Sequence, residues 1–517
     1  MNIRIVLIVL TAAIASLLEI IDTSIVNVSI PTMMGNLGAT LDEISWVTTG
    51  YMIANSIVLP IAAWLGSRLG RRRYFTSAIL MFTAASFACG MAPNLTCLVV
   101  FRIIQGLAGG ALLPTSQTLI QESFPAEKRG LAMAIFGLSV MVGPALGPTL
   151  GGYLTDNYGW RSIFNVNVPI GILAATLAWE NVEDVSWEKN QEKGVDWWGL
   201  LLLCIGVGSL QYVLERGQTD GWWDSFGIRA CTVAAIAGIA TFIYWELKVS
   251  NPIMNLRLFK RNVLRSGTAL MLSLGIMLYA LTFAVPIFAS RVLPNMTATQ
   301  TGLLFMPGSL VTALFMLPVG MLASKVNLKF LVLIGIVIGE ASVLVMTRFT
   351  MDTGPTQILI PLIIRGVALA FLFIPINQLV LGEFEGAELG QVSGMQNFFR
   401  QMGGSIGIAS LDTLITRFSA QNHNDLLYHV NALNSSAYHA YERALTLPSG
   451  KLMSQVGLWN STTIAATGLS TQMKHQVFIM SFEQLCWVIA VIVGAGLIPL
   501  ALIKPTKRSG GPILDAH

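Results

Sequence analysis

The sequence predicts an all-α polytopic membrane protein, and three observations lead there. Of 517 residues, 54% are hydrophobic and only 11% are charged, where soluble domains carry about 25% charge. The apolar residues gather into stretches near the ~20 residues that a helix needs to cross hydrocarbon. Between these stretches the basic residues are unevenly shared, as they are between loops on opposite faces of a membrane.

Fourteen spans follow in order. Span 1 (5–33) starts directly after Arg4. Span 2 (44–66) runs into the basic segment WLGSRLGRRR, and span 3 (74–92) starts where it ends. Span 4 (95–121) contains FRIIQGLAGG; span 5 (130–153) contains VMVGPALGPTLGG. Span 6 (162–179) follows GWRS. Span 7 (197–215) opens on the DWWGLLLLCIGVGSL stretch and span 8 (229–248) follows it; each is long enough to cross alone. Spans 9 (264–290), 10 (299–323), 11 (330–348), 12 (356–382), 13 (389–414) and 14 (482–503) complete the set.

An inside N-terminus places nineteen Lys and Arg in or beside inner loops and at the termini. Only five (Arg161, Arg216, Arg229, Arg291, Arg348) then fall in short outer loops, with four more in the long loop 415–481. This excess predicts N-in, C-in. Inner segment GEFEGAELG (382–390) departs from the pattern, having no basic residue.

Two halves are expected. MLASKVNLK (321–329) repeats the small–Leu–small–Ser–basic pattern of segment 64–73. RQMGGSIGIA (400–409) matches the glycine-rich part of span 5. Arg102 and Pro114 in span 4 match Arg365 and Pro375 in span 12. The expected organisation is residues 1–180 as one six-helix bundle, 181–255 as an inserted helix pair with linkers, and 256–517 as a second six-helix bundle containing loop 415–481. Duplicated helical halves around a midplane site are a transporter architecture.

Other classes find little support. The five cysteines (Cys89, Cys97, Cys204, Cys231, Cys486) lie in or beside apolar segments without CxxC spacing, so neither a disulfide nor a metal framework is expected. The net charge of +4 does not call for nucleic acid. The first apolar run is too long for a cleaved signal, and no soluble N-terminal domain is expected. No Walker A sequence, catalytic triad or metal-ligand cluster occurs, so the expectation is a non-enzyme that does not draw on ATP directly and has no cofactor.

The first span carries Glu19 and Asp22. Asp22 lies 18 residues after Arg4, ~27 Å of helix, with Pro31 ~13 Å further on. It is therefore deep in the slab, where a charge costs at least ~2.5 kcal/mol. A carboxylate there is either a proton carrier or half of a permanent ion pair, for which Arg102 is available. Glu19 is one turn away on the same face. It is a second protonatable group, a lure for cations, or a carboxylate satisfied by a neighbouring span. Arg102 either pairs with these carboxylates or snorkels outward.

These residues carry a resemblance. DTSIVNVSIP (22–31) is similar to the first-span signature of the fourteen-span drug:proton antiporters of the major facilitator superfamily, the EmrB and QacA type. FRIIQGLAGG (101–110) resembles the superfamily's fourth-span motif, GPALGPTLGG (143–152) its antiporter motif, and GWRSIFNVNVPIG (159–171) the family's entry to span 6. The resemblance implies a proton site at Asp22, with Arg102 in the fourth-span motif; Glu19 lies outside the signature and joins them as a candidate only through its place on the same face of span 1. It implies a hinge or seal at Gly143, Pro144, Gly147, Pro148, Gly151 and Gly152, and an inner gating motif at Gly66, Arg68, Gly70, Arg71 and Arg72. In that motif Ala63 and Ser67 stand where the family has Gly and Asp. Its cavity-lining spans make Asn27, Gln105, Tyr279, Phe283, Phe371, Phe373, Asn377 and Gln378, with Arg400 of span 13, candidate substrate contacts for hydrophobic or cationic drugs. For any single aromatic, ordinary packing is the competing reading. Glu340, Arg365 and Asp412 are further membrane-embedded charges.

Loop 415–481 holds four of the five histidines (His423, His429, His439, His475), without metal-ligand spacing. NDLLYHVNAL and AYHAYERAL read as short amphipathic helices. A long outer loop resembles the EmrB branch and implies a periplasmic adaptor and an outer-membrane channel as partners. The expectation is proton-coupled drug export across a bacterial inner membrane. Export of an endogenous metabolite such as a siderophore or fatty acid is the alternative, and a membrane receptor or scaffold a third.

Overall fold

The computed structural model describes residues 3–125, 128–184, 195–293, 298–429 and 461–503. Among these residues the regular structure is helical throughout, as predicted. Fourteen rods fall on the fourteen apolar stretches. They are α1 (Ile3–Leu37), α2 (Leu41–Leu69, broken at Ser45 and by a 3-10 turn at Leu59–Ile61), α3 (Arg71–Gly90), α4 (Leu95–Gly109 and Leu112–Ser123), α5 (Arg129–Tyr158) and α6 (Ser162–Asn181, broken at Val166). Then come α7 (Trp197–Arg216), α8 (Phe226–Lys248), α9 (Asn262–Val292), α10 (Ala298–Leu322), α11 (Leu328–Met346), α12 (Pro355–Leu381), α13 (Ala387–His429) and α14 (Ser461–Ala495, with Leu497–Leu502). Eleven are long and apolar enough to cross a bilayer singly, and α5, bent by 42° between Arg129–Pro144 and Leu146–Tyr158, brings the number to twelve. The others are more polar: α3 opens on three arginines, and α13 carries Gln, Asn and Arg side chains through its first turns.

Local chemistry sets the ends. Gly70 (φ +82°) and Gly159 (φ +79°) adopt the left-handed backbone that lets the chain reverse between rods. Thr40 and Glu43 form a reciprocal capping box at the start of α2, and Asn94 caps α4 by accepting from the Cys97 N–H at 2.9 Å. Pro355 occupies the first turn of α12, where its missing N–H is harmless.

Over its described residues, the first of the short helices expected in loop 415–481 is not a separate element. Helix α13 runs on without a break to His429, so NDLLYH continues a rod of 43 residues. Helix α14 begins at Ser461, 21 residues before its predicted start at 482. Asn422 donates to Ser481 Oγ (3.0 Å) and Gln484 Oε1 (3.1 Å), joining the two rods beyond the apolar stretch of α13. Hydropathy marks where hydrocarbon ends, whereas a helix needs only its own backbone hydrogen bonds to continue. AYHAYERAL lies outside the described residues.

The segments predicted to share one membrane face do lie at one end. Arg4 pairs with Glu183, and the Arg72 N–H donates to Asp184 at 2.9 Å. Asn262 donates to the Leu502 carbonyl at 2.5 Å, and Lys329 to that of Ile503. The acidic segment GEFEGAELG now has a reason for lacking basic residues. Glu385 faces Arg129 at 3.8 Å, and Glu388 faces Arg261 at 3.3 Å.

Glycines set the closest helix approaches. A Cβ on Gly143, Gly147 or Gly151 of α5 would overlap Ile20, Ser24 or Ile25 of α1. A Cβ on Gly403 or Gly404 of α13 would overlap Leu272 or Tyr279 of α9. Spacing of four keeps such residues on one stripe, so two backbones can touch. Helices α7 and α8 pack on each other through Gly206 and Gly238. From α7, Gln211 donates to Ser405 on α13 (2.7 Å), and Arg216 pairs with Asp42 at the start of α2 (2.5 Å).

Candidate proton and substrate pathway

Asp22 sits midway along α1 with no solvent exposure, against an equally buried Arg102 on α4. Arg102 Nη1 donates to Asp22 Oδ2 at 2.5 Å and to Gln105 Oε1 at 2.9 Å. Arg102 Nε donates to the Val47 carbonyl at 3.1 Å, and the guanidinium stacks 4.2 Å from the centre of the Tyr51 ring. The second oxygen, Oδ1, accepts from Gln105 Nε2 at 2.8 Å and from Asn167 Nδ2 at 3.0 Å. Asn167 belongs to α6 and also donates to Ser86 Oγ on α3 at 3.1 Å. Helices α4 and α6 thus donate to one carboxylate on α1, with α2 and α3 holding the donors. The snorkelling alternative for Arg102 is excluded by its burial. Its remaining nitrogen, Nη2, has no hydrogen-bond partner.

Glu19 has separate partners although it shares the buried face of α1. Its Oε1 accepts from Asn55 Nδ2 at 2.9 Å, and its Oε2 from the backbone N–H of Leu113 at 3.1 Å. That N–H is free because α4 breaks at Gly110 and Ala111 and restarts at Leu112. Unpaired N–H groups and the helix dipole both favour a negative group at such a start. Glu19 is therefore satisfied by neighbouring spans, but by an amide and a helix terminus instead of an arginine.

The span 5 motif is the wall behind this site. Its glycines rest on Ile20, Ser24 and Ile25, which bracket Asp22 in sequence. Ser29 and Thr155 are linked at 2.6 Å one level further along. Gly152 is buried, and Pro148 is half-buried in the same rod. Pro144 faces the other way, into a pocket also lined by Met141, Thr282, Phe305, Thr312 and Arg365. There Arg365 donates to Thr282 Oγ1 at 3.2 Å, and one of its nitrogens lacks a partner. Arg365 thus does not reproduce the ion pair of Arg102.

The remaining predicted contacts divide. Gln105 belongs to the Asp22 site. Asn377 accepts from Gln117 of α4 at 2.6 Å, and Gln117 Oε1 accepts from Ser393 (2.7 Å) and Asn397 (2.6 Å) of α13. This polar cluster closes a seam between the first six rods and the last six. Beside it Phe373 stacks on Phe136 of α5 at 6.0 Å, so it is a packing residue. Gln378 is nearly buried next to Gly130. Arg400 is 2% exposed; it donates to Asn397 at 3.4 Å, while Nε and Nη1 have no partner. Tyr279, Phe283 and Phe371 are half-buried, and Asn27 is exposed and outside these hydrogen bonds. Of the outlying charges, Glu340 lies against Gly494 of α14, and Asp412 is half-buried.

The arginines of the basic motif after α2 meet partners in the first six rods. Arg71 pairs with Glu122, Arg72 stacks 4.2 Å from the Trp179 ring centre, and Arg68 lies 4.9 Å from that of Trp64. Gly70 packs on Asp184. Gly66, Ala63 and Ser67 line a crevice facing Ala387 and Gly390 at the start of α13. Ser67 donates to its own Trp64 carbonyl at 2.9 Å.

Asn167, Asn55, Gln117, Ser393 and Asn397 were not singled out by the sequence. Asn167 lay in plain view in GWRSIFNVNVPIG, and the signal that finds it is an amide in an otherwise apolar stretch.

A helical polytopic fold with a buried acid–base pair facing a glycine-lined helix is an arrangement suited to membrane transport. The chain belongs to the Major Facilitator Superfamily, whose family model matches residues 12–408. It is 33% identical to the multidrug export protein EmrB of Escherichia coli K12, over 99% of this chain and 98% of that one. It is 31% identical to the fatty acid resistance protein FarB of Neisseria gonorrhoeae, over 97% and 96%. Among solved structures, the proton:xylose symporter XylE superposes with TM-score 0.57 at 16% identity, covering 94% of each chain. The chain is a multi-pass protein of the bacterial inner membrane.

Proposed function

We propose that the protein exports hydrophobic drugs in exchange for protons by alternating access. The observation that carries this is the Asp22–Arg102 pair, held without solvent exposure against the glycine face of α5. A buried pair is costly unless both partners stay together. Binding a proton at Asp22 removes the charge that holds Arg102, leaving the guanidinium to find another acceptor. The pair is thus a two-state element, which a proton-coupled exporter requires. The names of the relatives, multidrug export protein for EmrB among them, support drugs as the cargo.

In this reading residues 1–180 and 256–517 rock against each other, with 181–255 as the inserted pair, and fourteen spans place both termini in the cytoplasm. Protons enter from outside to Asp22 as drug leaves. Tyr279, Phe283 and Phe371, half-buried on α9 and α12, are the aromatic faces offered to a ligand. The rods of α13 and α14 beyond the membrane are the surface proposed to meet a periplasmic adaptor and, through it, an outer-membrane channel. No cofactor other than the proton is proposed.

A second cargo has a specific observation in its favour, the similarity to FarB: a fatty acid. One experiment addresses both. Proteoliposomes holding the protein are given a pH gradient, and movement of ethidium or of decanoate is followed. Gradient-dependent movement of ethidium supports drug export, and of decanoate alone the fatty-acid reading. Movement that ignores the gradient for both contradicts proton coupling.

A further inference from the structure

We infer that Glu19 is a second proton-binding group, acting as a latch: charged, it holds the restarted half of α4 in position to close the seam, and neutral, it releases it. The inference rests on the proton-coupled reading and adds to it a named route from a proton to the gate.

The geometry is as follows. The segment Leu112–Ser123 begins within the protein interior, and Ala111 before it provides no side-chain cap. Its start is instead capped from another helix, by the Glu19 carboxylate on the Leu113 N–H at 3.1 Å. A carboxylate is the better acceptor there, because the charge also meets the positive end of the segment's dipole. The next turn of the same segment makes the seam. The Pro114 carbonyl accepts from Ser393 Oγ at 3.1 Å. Gln117 joins Asn377, Ser393 and Asn397 across the two bundles. One residue on α1 therefore fixes the register of the surface that α12 and α13 close upon.

The groups around Glu19 agree with a switch. From α2 come Asn55, which donates to it, and Tyr51, whose buried hydroxyl has no partner. From α1 comes the charge of Asp22, itself held by Arg102 of α4. From α13 comes Arg400, within electrostatic range of Glu19, with two buried nitrogens unpartnered. The charged carboxylate thus attracts a cation on the opposite bundle as well as the helix start beside it. Protonation removes both attractions together. Asp22 cannot replace it in this role, since its oxygens are taken by Arg102, Gln105 and Asn167.

The test measures the seam rather than transport. Spin labels are placed at Arg73→Cys, in the exposed first turn of α3, and Lys325→Cys, exposed in the turn between α10 and α11 of the opposite bundle. The full chain carries alanine for its native cysteines and Asp22→Asn, so that Asp22 does not titrate. Inter-label distances are recorded in lipid nanodiscs between about pH 5 and 9, where buried carboxylates titrate. The expected result is a short-distance population that grows as pH rises. Glu19→Gln should abolish that growth and lower the closed:open ratio at high pH by about tenfold. Glu19→Asp, still ionisable, should retain a pH response. A Glu19→Gln chain that closes with pH as its parent does would overturn the inference, as would one that stays closed at every pH. Should Glu19→Gln fail to fold, Glu19→Asp decides, because the shorter carboxylate reaches the Leu113 N–H less well: a weakened or shifted pH response supports the latch, and closing that follows the parent's pH curve refutes it. Transport of ethidium in a pH gradient is scored separately, on chains that keep Asp22. A chain that transports but shows no Glu19-dependent seam keeps the antiport reading and loses the latch.

Discussion

Removing Arg102 and Asp22 singly and together gives the sharpest test of the site's energetics. In Arg102→Gln the Asp22 carboxylate keeps its amide donors, Gln105 at 2.8 Å and Asn167 at 3.0 Å, but loses its ion-pair partner. Stranding one member of a buried pair costs about 3–5 kcal/mol. Asp22→Asn strands the guanidinium, which keeps the Val47 carbonyl and the Tyr51 ring face, and a similar cost of about 3 kcal/mol follows. The double variant carries no unpaired charge and should cost only the lost hydrogen bonds, about 2–3 kcal/mol at ~1 kcal/mol each. The singles therefore sum to at least ~6 kcal/mol, and the double recovers about 3 of them. The assay is reversible unfolding in mixed detergent micelles, read by tryptophan fluorescence. Additivity within about 0.5 kcal/mol would refute the claim that these charges hold each other.

Other outcomes follow from the packing. Gly147→Ala puts a Cβ into Ser24 and should destabilise the chain by about 1–3 kcal/mol, measured as the shift in thermal unfolding midpoint. Gly403→Ala, directed at the Leu272 backbone of α9, should act alike. Gln117→Ala removes the centre of the seam cluster, and solvent access to a cysteine at Ser393 should rise, read by its alkylation rate. Arg129→Glu should change stability by less than about 1 kcal/mol, because Glu385 opposite is 83% exposed, and Glu385→Arg on that background should restore it.

Much of this was legible in the sequence, for identifiable reasons. Composition and apolar run length are properties of single segments, and they located every rod. The depth of Asp22 in α1 follows from counting residues, and its need for a cation pointed to Arg102. What the sequence did not disclose depends on which helix faces which. Asn167 meets Asp22 from 145 positions away, and no spacing within α6 reports that. One of the two partners of Glu19 is a backbone N–H, freed by a break at Gly110 and Ala111 within a continuous apolar run. The extent of α13 was missed because hydropathy falls after 414 while helical hydrogen bonding does not. The aromatic candidates were the weakest group. Phe373 packs on Phe136 across the seam, and an aromatic side chain gives no sign in sequence of whether it faces a ligand or a neighbour.

The central claim, that Asp22 exchanges its charge for a proton in step with cargo, is tested most directly by separating coupling from transport. Proteoliposomes loaded with a pH-sensitive dye receive ethidium, and proton movement is recorded alongside ethidium movement. The account predicts that the wild-type chain moves protons when ethidium crosses. Asp22→Asn should still exchange labelled for unlabelled ethidium but move no protons. Ethidium-dependent proton movement that survives in Asp22→Asn would contradict it.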